Sequence, residues 1–468
     1  MANWTRRDWL ASVSAAAALR PFAARGEDEA PNQGLRIGTF RTDVTPPLGH
    51  ALCGGWIPAA GVIDDPLEAI GLVILGAGQP IVLCAVDWTG LLNGAQSAWQ
   101  RGLAEAVGTD PSRVAVHCVH QHNAPFACLD SQAIIERTTE LPPMLDLAFF
   151  EAAVSATARV ASEAVRTARP LTHIASGQAP VDRVAGNRRM LGADGRVKSM
   201  RGSASKDPEH HAAPEGLIDP FLKTVAFYSG EERIAACHYY ACHPMSYYGD
   251  GRVSADFCGL ARRQRQTEDP GCTHLYFNGC GGNIGAGKYN DGSHAMRPIL
   301  TSRIHDALVA SEAALRPEPL DSVGWTTADV RLPPDPKWDA AALAAQIADP
   351  ARSAVDRYRP AYTLAYLNRF AADVPITLSA LHVNSLSLLH LPAECFAEYQ
   401  LRAQSASPGR FVACAAYGDG GPWYIPTRAA FPQGGYEVSV SWCGPEVDDA
   451  LWTGMARLLA EAPRLPGA

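Results

Sequence analysis

An alternating apolar run, Val114-Ala115-Val116-His117-Cys118-Val119, breaks into His120-Gln121-His122-Asn123-Ala124-Pro125. β-Branched residues at alternate positions predict a half-buried strand, and Asn-Ala-Pro marks where the chain leaves the sheet. His120 and His122 then stand at the strand's carboxyl end. With a period of two they project to one side if the strand reaches that far, so that one could bind a metal while the other faces substrate. Three more candidate ligands fall just beyond predicted strand ends: His243 in Cys242-His243-Pro244-Met245-Ser246, Glu394 in Pro392-Ala393-Glu394, and Tyr424 in Tyr424-Ile425-Pro426-Thr427. Taken singly, each has an ordinary explanation: a satisfied buried histidine, a carboxylate at a helix N-terminus, a core aromatic. Together they offer nitrogen and oxygen donors of the kind zinc accepts while a catalytic position stays open for water.

The elements that must carry these residues alternate in type. A strand over 36–44 is closed by Pro46-Pro47, and strands over 69–75 and 80–86 form a hairpin. Helices are predicted over 95–107 and 145–168, on either side of the histidine strand. Residues 180–216, including Arg188-Arg189, read as a polar loop with solvated arginines. From Arg233 onward the pattern is strand 234–240, helix 255–268, strand 273–277 and helix 299–315. Residues 320–374, with helices over 339–348 and 362–370, read as a peripheral insertion. A hairpin (376–381 and 385–391), a helix (395–405), a strand (411–416) and a helix (447–460) follow. The fold class implied is α/β, a mixed sheet flanked by helices, with sites outside the carboxyl ends of strands.

At 468 residues, 47% hydrophobic and 19% charged, the chain can bury a sizeable core. A net charge of −8 without a clustered basic stretch excludes a nucleic-acid partner. Thr5-Arg6-Arg7-Asp8-Trp9-Leu10, an Ala-rich run to Leu19 and Phe22-Ala23-Ala24 make residues 1–28 a twin-arginine-type export signal, too short to span a bilayer, and imply a periplasmic or extracellular protein. Twelve cysteines are scattered without Cys-x-x-Cys spacing, so neither a zinc ribbon nor a small disulfide scaffold is indicated, and pairing after export stays open. Gly282-Asn283-Ile284-Gly285-Ala286-Gly287-Lys288 fits the start of a phosphate-binding loop, but Tyr289 stands where a magnesium-holding hydroxyl belongs, and Asn290-Asp291-Gly292 breaks the helix a phosphate needs. No Gly-x-Ser-x-Gly elbow or His-Glu-x-x-His helix occurs.

Over most of residues 33 to 445 the sequence resembles the neutral and alkaline ceramidases. Asp43-Val44-Thr45-Pro46-Pro47-Leu48-Gly49 matches the family's opening. His120-Gln121-His122 stands for its His-Thr-His, Asn187-Arg188 for its Asn-Arg, and Cys242-His243-Pro244-Met245-Ser246 for its second histidine motif. Ser254-Ala255-Asp256-Phe257-Cys258-Gly259 is similar to its Ser-Asp turn, Pro392-Ala393-Glu394 to its Pro-Gly-Glu, and Tyr424-Ile425-Pro426-Thr427 with Tyr436-Glu437 to its paired tyrosines. The resemblance implies a catalytic domain over 33–468 with zinc held by His120, His243, Glu394 and Tyr424. It implies His122, Arg188 and Tyr436 as the groups that hold or polarise a scissile amide.

Two departures shape the functional expectation. Asn278-Gly279-Cys280-Gly281-Gly282-Asn283-Ile284-Gly285 places Gly285 where the family carries an essential serine, and the family's immunoglobulin-like C-terminal domain is not seen. The expectation is therefore an exported zinc-dependent amidohydrolase acting on a small-molecule or lipid-like substrate, with weak or absent activity on ceramide and no acyl-enzyme. The flanking Gly281, Gly282 and Gly287 are expected to leave the backbone open to a polar or bulkier ligand. A zinc enzyme acting on a carbohydrate or other non-lipid substrate, and an inactive binding protein on the same scaffold, are the alternatives.

Overall fold

The computed structural model describes residues 34–138 and 141–463; the expected export signal lies outside the described residues. The expectation of one mixed sheet is met three times over, because the described strands form two five-stranded sheets and one four-stranded sheet, beside several two-stranded ladders. All three share one grammar. Antiparallel strands run up to a last member, a helix crosses over, and the next strand returns parallel at the edge.

In the first sheet, Gly78–Val86 leads through the helix Gly94–Val107 to Val114–Cys118. In the second, Glu232–Tyr240 leads through Asp256–Glu268 to Thr273–Asn278. In the third, Leu386–His390 leads through Ala397–Ser405 to Phe411–Ala415. Parallel pairs need such a crossover and are covered on both faces. Accordingly every residue of Val114–Cys118 and of Leu386–His390 is buried.

The three βαβ units converge at their carboxyl ends, tied by one residue. Asn278, fully buried, donates from Nδ2 to Val119 O (3.2 Å) beside the first unit. Its Oδ1 accepts from Cys242 N (3.2 Å) in the second, and its main-chain oxygen accepts from Ala416 N (2.9 Å) in the third. Cys118 N donating to Tyr417 O (2.9 Å) closes the ring between the first and third units. An unpaired buried polar group costs about 1–3 kcal/mol, so this junction has little freedom to slide.

Several sequence expectations need correction. Residues 180–216 are not plain loop: Gly186–Asn187 pairs with Ile284–Gly285, Arg189–Leu191 pairs with Val197–Met200, and Pro208–Ala212 is a short helix. Residues 320–374 are not peripheral. Val323–Val330 is an edge strand of the third sheet, and the helix Ala354–Ala371 begins well before the predicted 362, placing Tyr358, Tyr362 and Tyr366 in the core. Pro360 lies inside that helix, although proline usually ends helices. All twelve cysteines are buried free thiols. Among the described residues, no helix is long and apolar enough to cross a membrane.

Candidate metal centre and active site

The histidine strand stops at Cys118, earlier than the alternation suggested, and His120 has a left-handed backbone, φ 78°. Alternation along a continuing strand therefore does not set its direction. His120 N donates to Trp88 O (3.0 Å), and its Nδ1 lies 2.7 Å from Thr89 O. A carbonyl can only accept, so Nδ1 carries the proton and Nε2 presents a lone pair. His243 is fixed the same way, with Nδ1 2.8 Å from Gly281 O and 3.1 Å from Ile284 O. Carbonyl partners on the far nitrogen are what orient metal-binding imidazoles.

Glu394 and Tyr424 arrive together because they are partners in a two-residue parallel ladder, Glu394–Cys395 against Tyr424–Ile425. Glu394 Oε2 lies 3.4 Å from His120 Nε2 and 3.0 Å from His243 Nε2, and Tyr424 Oη lies 3.4 Å from His243 Nε2. Donors about 2.0 Å from a tetrahedral ion stand about 3.3 Å apart, which is this spacing. His120 Nε2 and Glu394 Oε2 are buried without a hydrogen-bond partner. Two buried acceptors facing each other at this spacing suit a shared cation, and the four residues fit zinc. His120, His122 and His243 also bring their nitrogens within 4.8 Å of one another and could hold a metal ion, but the Glu394 contacts are tighter.

Left-handed non-glycine backbones gather here: besides His120, Ala393 precedes Glu394 (φ 45°), Trp423 precedes Tyr424 (φ 62°), and Tyr417 has φ 59°. Each such residue costs on the order of 1–3 kcal/mol and persists only where the surroundings enforce it. Tyr417 stacks on the His120 ring at 4.3 Å. It was missed by sequence reasoning, its only signal being a strand end followed by Gly-Asp-Gly-Gly.

The site's charges are sorted by burial and neighbours. Burial lowers the His243 pKa to about 4, Arg188 adding to the effect, so the imidazole is neutral and able to ligate at pH 7. Burial opposes charge on Glu394, yet positive charge at the His120 and His243 Nε2 edges, carried by a proton or a bound cation, holds its carboxyl well below the usual range. Burial keeps the Tyr424 phenol protonated far above its usual range despite Arg188 beside it.

Of the residues expected to act on substrate, Arg188 is buried rather than solvated. The ladder Gly186↔Gly285 swings it over the glycine stretch, where Nη2 contacts Gly282 O (2.7 Å), Tyr424 Oη (3.2 Å) and Glu437 (3.1 Å). Burial opposes its charge, but Tyr424 and Glu437 raise its pKa above the usual arginine range. Half-buried His122 has Nδ1 3.2 Å from His120 O, and its ring lies 5.7 Å from that of His243. Burial, with His120 and His243 nearby, holds it neutral. Tyr436, 44% exposed, lies 5.8 Å ring to ring from Tyr424, and burial of its hydroxyl end pushes its pKa up to about 12. With Tyr248, 47% exposed and in ring contact with His122, it marks the solvent side of the cluster.

The glycines are not open to a ligand, which corrects the expectation. A Cβ on Gly282 would meet Glu394 O at 2.3 Å, one on Gly287 would meet Gly202 O at 2.3 Å, and one on Gly281 would meet the Tyr417 hydroxyl at 2.9 Å. They let backbone pack around the centre. The phosphate-loop reading fails as expected: the next described helix after Lys288 begins only at Met296, and the Lys288 ammonium is spent on the carbonyls of His211 and Ala213. A second cluster, His238, His274 and Glu312, has ligand-like spacing. Its Glu312 is already neutralised by Arg233 and Arg265, each at 2.8 Å, and the arginines would repel an ion.

No protein-family model matches the sequence, and no curated protein matches it. Solved structures do. A neutral ceramidase from Pseudomonas aeruginosa superposes with a TM-score of 0.66 at 16% identity, over 93% of this chain and 76% of that one. A ceramidase complexed with C2 gives the same TM-score, identity and coverage. The fold is thus neutral-ceramidase-like, a mixed α/β architecture.

Proposed function

We propose that this chain is an exported zinc-dependent hydrolase that cleaves an amide or related acyl bond. The observation that carries the reading is the convergence of two orphaned acceptors, His120 Nε2 and Glu394 Oε2, with His243 and Tyr424 at ligand spacing. Zinc held there would supply Lewis acidity and a water acidified toward neutrality. The chain's own groups do the rest. All the Arg188 contacts given above run through Nη2, leaving Nη1 to donate to the oxyanion that forms when a carbonyl is attacked. Tyr436, protonated to about pH 12, is a second neutral donor at the open side. His122 is neutral, with its proton fixed on Nδ1 by the His120 carbonyl, so Nε2 can take a proton and pass it to the leaving nitrogen.

One observation favours a substrate other than ceramide. Where the resembled family places its serine, the Arg188 stem fills the space: a Cβ on Gly285 would lie 3.0 Å from Arg188 Cδ. The proposed substrate is therefore an N-acyl compound or related small molecule whose carbonyl is held by Arg188 and Tyr436 without a serine. Turnover by purified protein of N-acyl amino acids, acyl esters, ceramide and glycosides, with and without chelator, tests this. Chelator-sensitive hydrolysis of acyl amides supports the reading, and turnover of glycosides alone overturns it.

A further inference from the structure

Beneath the proposed site lies a carboxylate with no assigned role. Glu437 is fully buried at the start of the short helix Tyr436–Val440. Its two oxygens are divided between two guanidiniums: Oε1 lies 3.1 Å from Arg188 Nη2, and Oε2 lies 3.0 Å from Arg189 Nη1. Arg189 reaches onward with Nη2 to Gly434 O (2.8 Å), Ala430 O (3.2 Å) and Gln433 Oε1 (3.2 Å), the segment that leads into Tyr436. Val197 N donating to Gln433 O (2.9 Å) fastens the same segment to the strand paired with Arg189–Leu191. Glu437 is therefore a joint between two stretches distant in sequence, one bearing Arg188 and the other Tyr436.

Resting on the function proposed above, we infer that Glu437 is the positioning residue that sets Arg188 against Tyr424 and holds Tyr436 opposite it. It acts through these groups and does not touch substrate. Arg189 Nη1 donates to Oε2, which fixes that guanidinium in direction as well as charge, while Oε1 holds Arg188 through charge at ion-pair distance. Without the carboxylate, Arg188 keeps only Gly282 O and the Tyr424 hydroxyl, and Arg189 no longer carries the Tyr436 segment in register. A displacement of about 1 Å at such a donor is enough to lower a rate roughly 10²-fold.

The test compares Glu437→Gln, of equal volume, in wild-type and Arg188→Ala backgrounds, with zinc content, melting temperature, kcat and KM on the best acyl substrate, and a crystal structure of each. Expected are unchanged zinc, kcat lowered about 10- to 100-fold with KM within about threefold, and a clearly smaller loss from Glu437→Gln once Arg188 is Ala, because only the Arg189–Tyr436 arm then remains. An equal loss in both backgrounds assigns Glu437 a merely structural role and overturns the inference. If Glu437→Gln does not fold, Glu437→Asp, which keeps the charge but shortens its reach, takes its place with the same expectations. If the wild-type protein turns over nothing, the proposed function fails while this inference is read from the crystal structures. An Arg188 guanidinium displaced from the Tyr424 hydroxyl supports it, and an unmoved one overturns it.

Discussion

Placing a serine at Gly285 looks at first like restoring a lost catalytic group, but the packing predicts the opposite. The new Cβ would sit 3.0 Å from Arg188 Cδ, 3.0 Å from Gly202 O and 3.3 Å from Arg188 Cγ. Gly202 O accepts from Gly287 N (3.1 Å), and Arg201 N next to it donates to Arg188 O (2.8 Å), so that backbone is held. The arginine stem must therefore yield while its head is anchored at Gly282 O, Tyr424 and Glu437. Overpacking of this kind costs about 1–3 kcal/mol. A guanidinium shifted by about 1 Å lowers kcat on the order of 10². Gly285→Ser and Gly285→Ala should both show these losses with zinc retained, because the Cβ and not the hydroxyl is responsible. Thermal unfolding, zinc analysis and steady-state kinetics on an acyl amide measure them. Ceramide hydrolysis gained by the serine variant and not by the alanine variant would refute the reasoning, and so would native stability and rate in both.

His122→Ala and Arg188→Ala should each keep zinc while kcat falls by roughly 10² or more, and metal analysis beside kinetics separates this from loss of a ligand. Asn278→Ala strands Cys242 N and Val119 O in the interior, so it should cost about 2–4 kcal/mol in chemical denaturation and weaken zinc binding against a competing chelator. His117 is fully buried with its pKa lowered by burial to about 4, so between its unfolded value near 6.5 and about 4 the unfolded chain binds more protons. Stability is whole above roughly pH 6.5 and falls as pH drops toward 4, by up to about 3 kcal/mol from this group. His117→Asn, denatured at several pH values in excess chelator, should show a shallower fall than wild type.

Most strands and helices were legible because each apolar run is short, bounded by Gly or Pro, and period-specific. The three crossovers also followed from alternation. That the strands divide among three sheets did not, since the junction at Asn278 depends on contacts between residues far apart in sequence. His120, His243, Glu394 and Tyr424 could be picked out because strand ends deliver them, but the turn that aims His120 lies outside any periodicity. Arg188 was misread as solvated because composition made its neighbourhood a loop, while the two-residue ladder Gly186↔Gly285 that buries it carries no sequence signal. Glu437, seen only as part of Tyr-Glu, matters through two arginines some 250 residues earlier in the chain.

The metal content of the protein tests the central claim most directly. Protein purified without chelator, after export or refolding with zinc, should hold about one zinc per chain by elemental analysis, and the His120→Ala/His243→Ala double variant should hold none while keeping its fold. A folded wild-type chain that contains no first-row metal and takes up no zinc in titration would contradict it.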